Sequence, residues 1–228
     1  MKLLLVGYGR MGRLVEELAP GHGCEIADRI DVGSGNWDTI ADVAIDFSTA
    51  GALRDHFPRY VARKLPVVIG ATGWSANEAD FRAQAARVNL GIVASANFSI
   101  GVNLFQIVVA EAARLFEPHG EFGAWIHEAH HAAKRDAPSG TALMLRDTMA
   151  GASFARTIDM SSTRAGAIPG IHTVGFDGPS DTIELTHTAR DRRGFAAGAL
   201  LAARWIQGRE GWFTMADVLG HRIPKETV

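Results

Sequence analysis

Leu3-Leu4-Leu5-Val6 runs without a break into Gly7-Tyr8-Gly9-Arg10-Met11-Gly12, and this junction limits the possible folds more than any other stretch of the chain. A short, continuously apolar strand is one buried on both faces, as in a parallel sheet covered by helices. The glycines have the G-x-G-x-x-G spacing of a strand-to-helix turn that receives a pyrophosphate. Gly7 allows the tight turn, Gly9 close approach of the backbone, and Gly12 close packing of helix on sheet. A helix is predicted from Arg10 to about Leu18, stopped by Pro20-Gly21. Such turns also arise for steric reasons alone, so the motif gains its weight from the strand before it, the helix after it and an acidic residue about twenty positions on. In the second strand, Cys24 to Asp31, Asp31 lies at the C-terminal end where a ribose-binding carboxylate belongs, with Asp28 the alternative.

Apolar strands then alternate with helix-length segments. Ala41–Phe47, Pro66–Gly70 and Gly91–Ser95 read as strands; Ala50–Lys64, interrupted at Pro58, and Ala76–Val88 read as helices. This alternation predicts a Rossmann-like parallel sheet with right-handed crossovers, whose ligands bind beyond the C-terminal strand ends. The segments at those ends are Phe47-Ser48-Thr49, Gly70-Ala71-Thr72-Gly73 and Ser95-Ala96-Asn97-Phe98-Ser99. All are small or polar enough to admit a cofactor, though each taken singly is equally a plain turn. After Asn97 the pattern changes to a long helix, Ile100–Phe116, followed by strands over Gly120–Ile126, Phe154–Arg164, Ile171–Phe176 and Asp181–Thr188. The expectation is α/β with an α+β domain bearing a mostly antiparallel sheet over 99–206. Residues 1–98 form the dinucleotide-binding domain, completed by about 207–228. Helices over Phe195–Ile206 and Phe213–Leu219 are expected to lead back toward it.

The second domain holds the densest chemistry, in Glu128-Ala129-His130-His131-Ala132-Ala133-Lys134-Arg135-Asp136-Ala137-Pro138-Ser139-Gly140-Thr141. Histidine takes and gives protons at neutral pH, and lysine holds a carboxylate or donates a proton. Ser139-Gly140-Thr141, before the helical run Ala142-Leu143-Met144-Leu145, aims backbone N–H groups at an anion. Surface histidines are the plain alternative. His127-Glu128-Ala129-His130-His131 also satisfies the H-E-x-x-H pattern of zinc hydrolases, which needs a helix, where a four-residue step is about 6 Å. The preceding aromatic and branched residues indicate a strand, where that step is about 13 Å. No metal is therefore expected.

The 228 residues, 47% hydrophobic and 21% charged with a net charge of −2, suit a globular chain with no electrostatic reason to bind nucleic acid or a membrane surface. The single cysteine, Cys24, excludes an internal disulfide and suits a reducing compartment. The start Met1-Lys2 leads straight into a strand and no apolar run approaches a membrane span, so a soluble cytoplasmic protein is expected.

The glycine turn, Ile45-Asp46-Phe47-Ser48, Ile69-Gly70-Ala71-Thr72-Gly73, Ala96-Asn97-Phe98-Ser99-Ile100-Gly101-Val102-Asn103, the Glu128–Thr141 segment, Pro169-Gly170-Ile171-His172-Thr173-Val174 and Glu184-Leu185-Thr186-His187 together resemble the 4-hydroxy-tetrahydrodipicolinate reductase family over nearly the whole chain. The resemblance implies reduction of a cyclic imine dicarboxylate by NADH or NADPH on the diaminopimelate route to lysine, in a cytoplasmic homotetramer. It implies His130 and Lys134 as catalytic proton-transfer residues, and His131, Gly140 and Thr141 as substrate contacts. It also implies cofactor contacts from Gly7, Tyr8, Gly9, Arg10, Met11, Gly12, Asp31, Gly70, Ala71, Thr72, Ser95, Ala96, Asn97 and Phe98. Two departures from the family pattern stand out: a short connection between the second and third strands, and Ala71 where threonine is common. The alternatives are a noncatalytic NAD-binding regulatory protein, which needs the nucleotide fold but not His130 and Lys134, and the zinc hydrolase.

Overall fold

The computed structural model describes residues 1–220 as two compact units, one of Met1–Ile100 with the stretch from Arg192 onward and one of Gly101–Asp191. The expected completion of the first domain by 207–228 can be followed only to residue 220, because 221–228 lie outside the described residues.

In the first unit, strands β1 (Lys2–Val6), β2 (Glu25–Ile30), β3 (Val43–Asp46), β4 (Val67–Ile69), β5 (Gly91–Ala94) and β10 (Gly211–Phe213) form one sheet in the order β10-β5-β4-β3-β1-β2. Every pairing is parallel. β1 is apolar and buried from Leu3 to Val6 because both its faces are covered. Leu3 and Leu5 pack with α1 (Arg10–Leu18) and α6 (Arg193–Ile206). Leu4 and Val6 pack with α2 (Ala50–Arg63) and α3 (Glu78–Ala86). The order reverses between β1 and β3, which makes the crevice beyond their C-terminal ends the topological switch point where ligands of such sheets bind.

Three expectations are corrected here. Pro58 does not interrupt α2, which runs unbroken to Arg63; the fully buried Phe57 and Tyr60 on either side outweigh the one backbone hydrogen bond that proline removes. Phe213 is the last residue of a strand rather than the first of a helix, and α7 starts at Met215 behind a Thr214–Asp217 capping box. The chain also re-enters the first unit at Arg192, earlier than 207. The cause is α6, whose Ala199, Leu200, Ala203 and Ile206 are buried together with Leu3, Leu5 and Val15.

The second unit has a four-stranded mixed sheet in the order β7-β6-β8-β9, built from β6 (Gly123–His130), β7 (Ile158–Arg164), β8 (Ile171–Asp177) and β9 (Thr182–Thr188). β6–β8 and β8–β9 are antiparallel, and β6–β7 is parallel. Helices α4 (Ile100–Phe116) and α5 (Gly140–Gly151) bury Val109, Ala113, Leu145 and Met149 against Ala124, Ile126, Val174 and Phe176 of the sheet. Because strand side chains alternate between faces, Glu128 and His130 lie on the same inward face as Ala124 and Ile126.

Candidate active site

The glycine turn of the first unit fits a phosphate group. Gly7 has φ +84°, and a Cβ there would meet Ser48 N at 2.6 Å and the Phe47 carbonyl carbon at 2.7 Å. A Cβ on Gly12 would lie 2.5 Å from the Gly7 carbonyl oxygen, whereas one on Gly9 would meet nothing within 4 Å. The three glycines thus serve the turn, the helix approach and the open side respectively. α1 follows Gly9, an N-cap without a side chain, and has no acidic residue in its first turn, which leaves its first N–H groups for an anion. Arg10, at its N-terminus, is exposed and Met11 half-buried.

Other predicted cofactor residues converge on Phe47. A Cβ on Gly70 would sit 2.2 Å from the Phe47 ring, and the Phe98 ring meets it edge-on at 6.1 Å. Ser95 to Ser99 is folded by its own side chains: Ser95 Oγ donates to the Asn97 carbonyl at 2.8 Å, and Ser99 N donates to Asn97 Oδ1 at 2.9 Å. Ala96 and Thr72 are exposed. Ala71 is buried, with its methyl in the apolar cluster under α2 and α3, so any cofactor contact it makes comes from its backbone.

Asp28 is already occupied, accepting from Asn36 N at 2.9 Å and from Thr39 Oγ1 at 3.0 Å. Those hydrogen bonds hold the short loop between β2 and β3. Asp31 at the strand end is exposed and accepts locally from Val32 N at 2.9 Å, which leaves it the better placed of the two. The Tyr8 ring is flanked by the Arg13 and Arg29 guanidinium groups, each 5.7 Å from its centroid, and its hydroxyl donates to Glu16.

In the second unit, His127 to His130 of H-E-x-x-H end strand β6 and its second histidine, His131, follows the strand; among the described residues His127 and His131 belong to no group of three or more possible metal ligands. His127 faces the opposite side of β6 and bonds Ser161 Oγ at 2.8 Å. Glu128, 1% exposed, instead accepts from His130 Nδ1 and from Arg164 Nη2 at 2.6 Å. Burial acts to raise the Glu128 carboxyl, but hydrogen bonds from Arg164, Ser162 and His130 outweigh it and hold it at about 2. An ionised carboxylate only accepts, so His130 carries its proton on Nδ1 and leaves Nε2 on the side of the ring away from Glu128. Buried Gly170, at φ +128°, makes room for that ring, since a Cβ there would lie 3.2 Å from Nε2. Burial pushes the His130 imidazole down; Glu128 opposes this and the Lys134 and Arg164 charges add to it.

His172, paired with Glu128 across β6 and β8, meets the His130 ring edge-on at 5.0 Å. Its Nε2 lies 3.1 Å from Ser139 Oγ, which caps α5 by accepting from Ala142 N. The start of α5, with exposed Gly140 and half-buried Thr141, is thereby tied to the sheet. Lys134 donates to both carboxylate oxygens of Asp136 at 2.8 Å, and His131 is half-buried and accepts from Lys134 N at 3.0 Å. Atoms of Glu128, His130 and His172 lie within 4.8 Å of one another. Both Glu128 oxygens are already engaged, one by an arginine, so the donor set makes a hydrogen-bonded dyad better than a cation cage.

Three participants were missed from sequence: Glu128, Arg164 and His172. For Glu128 a signal existed, a carboxylate at alternate spacing to His130 on the apolar face of a strand. Arg164 and His172 depend on strand register, which no local pattern reveals.

Burial depresses the His172 imidazole to about 4, so the unfolded chain takes the proton first and the neutral form stabilises the fold above about 6.5. Stability is expected to fall as pH drops from about 6.5 to 4, by at most on the order of 3 kcal/mol from this group. A further loss is expected from about 4.5 to 2 as Glu128 protonates. Thermal unfolding across that range checks both, and His172→Gln should flatten the upper window; an unchanged slope in that variant would refute the assignment.

A glycine turn at the switch point of a parallel sheet, together with a unit carrying a buried carboxylate–imidazole pair, defines an NAD(P)-dependent oxidoreductase. Residues 27–98 match the family described as dihydrodipicolinate reductase, N-terminus, and residues 101–219 the corresponding C-terminus. The chain is 35% identical over 233 residues, covering 96% of it and 98% of the relative, to the 4-hydroxy-tetrahydrodipicolinate reductase of Christiangramia forsetii. It is 42% identical over 199 residues, 79% of it and 72% of the relative, to that of Myxococcus xanthus. A dipicolinate-bound dihydrodipicolinate reductase from Paenisporosarcina sp. TG-14 shares the fold with a TM-score of 0.80 at 20% identity, covering 95% of this chain and 98% of that one. The chain belongs to the dihydrodipicolinate reductase family.

Proposed function

We propose that the chain reduces 4-hydroxy-tetrahydrodipicolinate to tetrahydrodipicolinate with NADH or NADPH, on the diaminopimelate route to lysine. The observation that carries this reading is the Glu128–His130 pair on the same unit as Lys134 and the capped start of α5. Those groups suit a dicarboxylate that has to be protonated. With the 4-hydroxyl lost as water, NADH or NADPH held at the glycine turn would supply a hydride to the ring carbon that bore it, and the resulting enamine needs a proton. His130 then protonates the neighbouring carbon from Nε2. Lys134 and the N–H groups around Gly140 and Thr141 hold carboxylates, with His131 beside them. The Lys134–Asp136 pair is no obstacle, because Asp136 is 59% exposed and such pairs contribute about 1 kcal/mol or less. Gly7 through Gly12, Asp31, Gly70 through Thr72 and Ser95 through Phe98 are the proposed nucleotide contacts.

Among the described residues no helix is long and apolar enough to cross a membrane, which is compatible with the proposed cytoplasmic location. A homotetramer is proposed from the family likeness. The test is to follow NADH and NADPH separately while supplying freshly made product of the preceding synthase. Consumption that depends on that compound is expected, and binding of both cofactors without consumption would refute the proposal.

A further inference from the structure

Three adjacent strands bring four charged or titratable groups onto the inward face of the second unit. Arg164 is the register partner of His130 on β7, and His172 that of Glu128 on β8. Arg164 Nη2 donates to Glu128 Oε1 and also to the Asp136 backbone carbonyl, each at 2.6 Å. One guanidinium therefore grips both the carboxylate under His130 and the loop carrying Lys134. We infer that Glu128 is a positioning residue for His130, and that Arg164 is the clamp holding this pair and the Lys134 loop in one arrangement.

This inference rests on the reading of His130 as the proton donor. In the donating form both ring nitrogens carry protons. The Nε2–H bond breaks as the enamine electron pair forms the new C–H bond, and the imidazolium becomes neutral. Nδ1–H stays on Glu128 throughout, so the ring cannot flip or change tautomer during turnover. Water then restores the Nε2 proton. The groups facing His130 are Glu128 on its own strand, Arg164 on β7, His172 on β8 and Lys134 on the following loop. Only Glu128 favours the imidazolium; with that charge gone, burial and the cations act unopposed.

Glu128→Gln is expected to lower kcat at neutral pH by about a hundredfold with little change in KM, and to move the alkaline limb of the pH profile to lower pH. Glu128→Asp, which keeps the charge, should hold that limb near the wild-type position and recover part of the rate. NADH binding by fluorescence shows that each variant is folded. Should Glu128→Gln fail to fold with Arg164 left unpaired, nitrogen NMR of His130 in the wild-type chain decides, and a resting tautomer protonated on Nδ1 is expected. An Nε2-protonated resting tautomer, or a folded Glu128→Gln variant with wild-type kcat and pH limb, overturns the inference. Near-normal turnover of His130→Asn would instead remove the proton-donor reading itself, so the two failures are distinguishable.

Discussion

His130→Ala is expected to lower turnover by about two to four orders of magnitude, the contribution of a positioned acid, while leaving the NADH affinity near wild type. The ring has a defined tautomer, held by a buried carboxylate that is ionised at every working pH, and water entering the vacated space has no such orientation. The nucleotide turn lies on another unit of the chain, so cofactor binding should be spared. Lys134→Ala is expected to reduce turnover over a similar range. Its loss removes a cation beside His130 and the proposed anchor of a substrate carboxylate, so KM should rise as well. Stopped-flow measurement of NADH oxidation together with fluorescence titration of NADH separates the two effects. Near-normal turnover in both variants would remove these residues from the mechanism.

The second large effect is structural. Gly198 lies in the interior of α6, where alanine would ordinarily be favoured by about 1 kcal/mol. A Cβ there would be 1.8 Å from the Phe98 carbonyl oxygen and 2.9 Å from its carbon, and both partners are backbone. The clash outweighs the propensity, and Gly198→Ala is expected to destabilise the chain by roughly 2 to 4 kcal/mol. That corresponds to a fall in Tm of about 10 °C. Because Phe98 ends the Ser95–Phe98 turn and meets the Phe47 ring, NADH affinity should weaken in the protein that remains folded. A variant as stable as wild type would mean that α6 packs against the sheet differently.

The nucleotide-binding half was legible because its determinants are local. Leu3–Val6 declares a strand buried on both faces, and Gly7, Gly9 and Gly12 each meet the steric demand that their spacing implies. What escaped is either too short for a period to develop, as with β10 at Gly211–Phe213, or is decided by tertiary packing, as with the continuity of α2 through Pro58. In the second unit, His130 and Lys134 were legible as chemistry. The strand assignment of the residues before them argued against the zinc pattern, and its first histidine, His127, does lie within strand β6, with the second, His131, just past the strand's end. The support around His130 was not legible. Arg164 and His172 are 34 and 42 residues away from it along the chain, and only the pairing of β7 and β8 with β6 brings them to Glu128.

Isotope transfer examines the proposed reaction most directly. With NADH deuterated at its transferable position and freshly prepared 4-hydroxy-tetrahydrodipicolinate, one deuterium is expected in the product, on the ring carbon that lost the hydroxyl, for each cofactor oxidised. Cofactor oxidation that leaves the product free of deuterium, or no oxidation at all with either NADH or NADPH, would contradict direct hydride reduction by this chain.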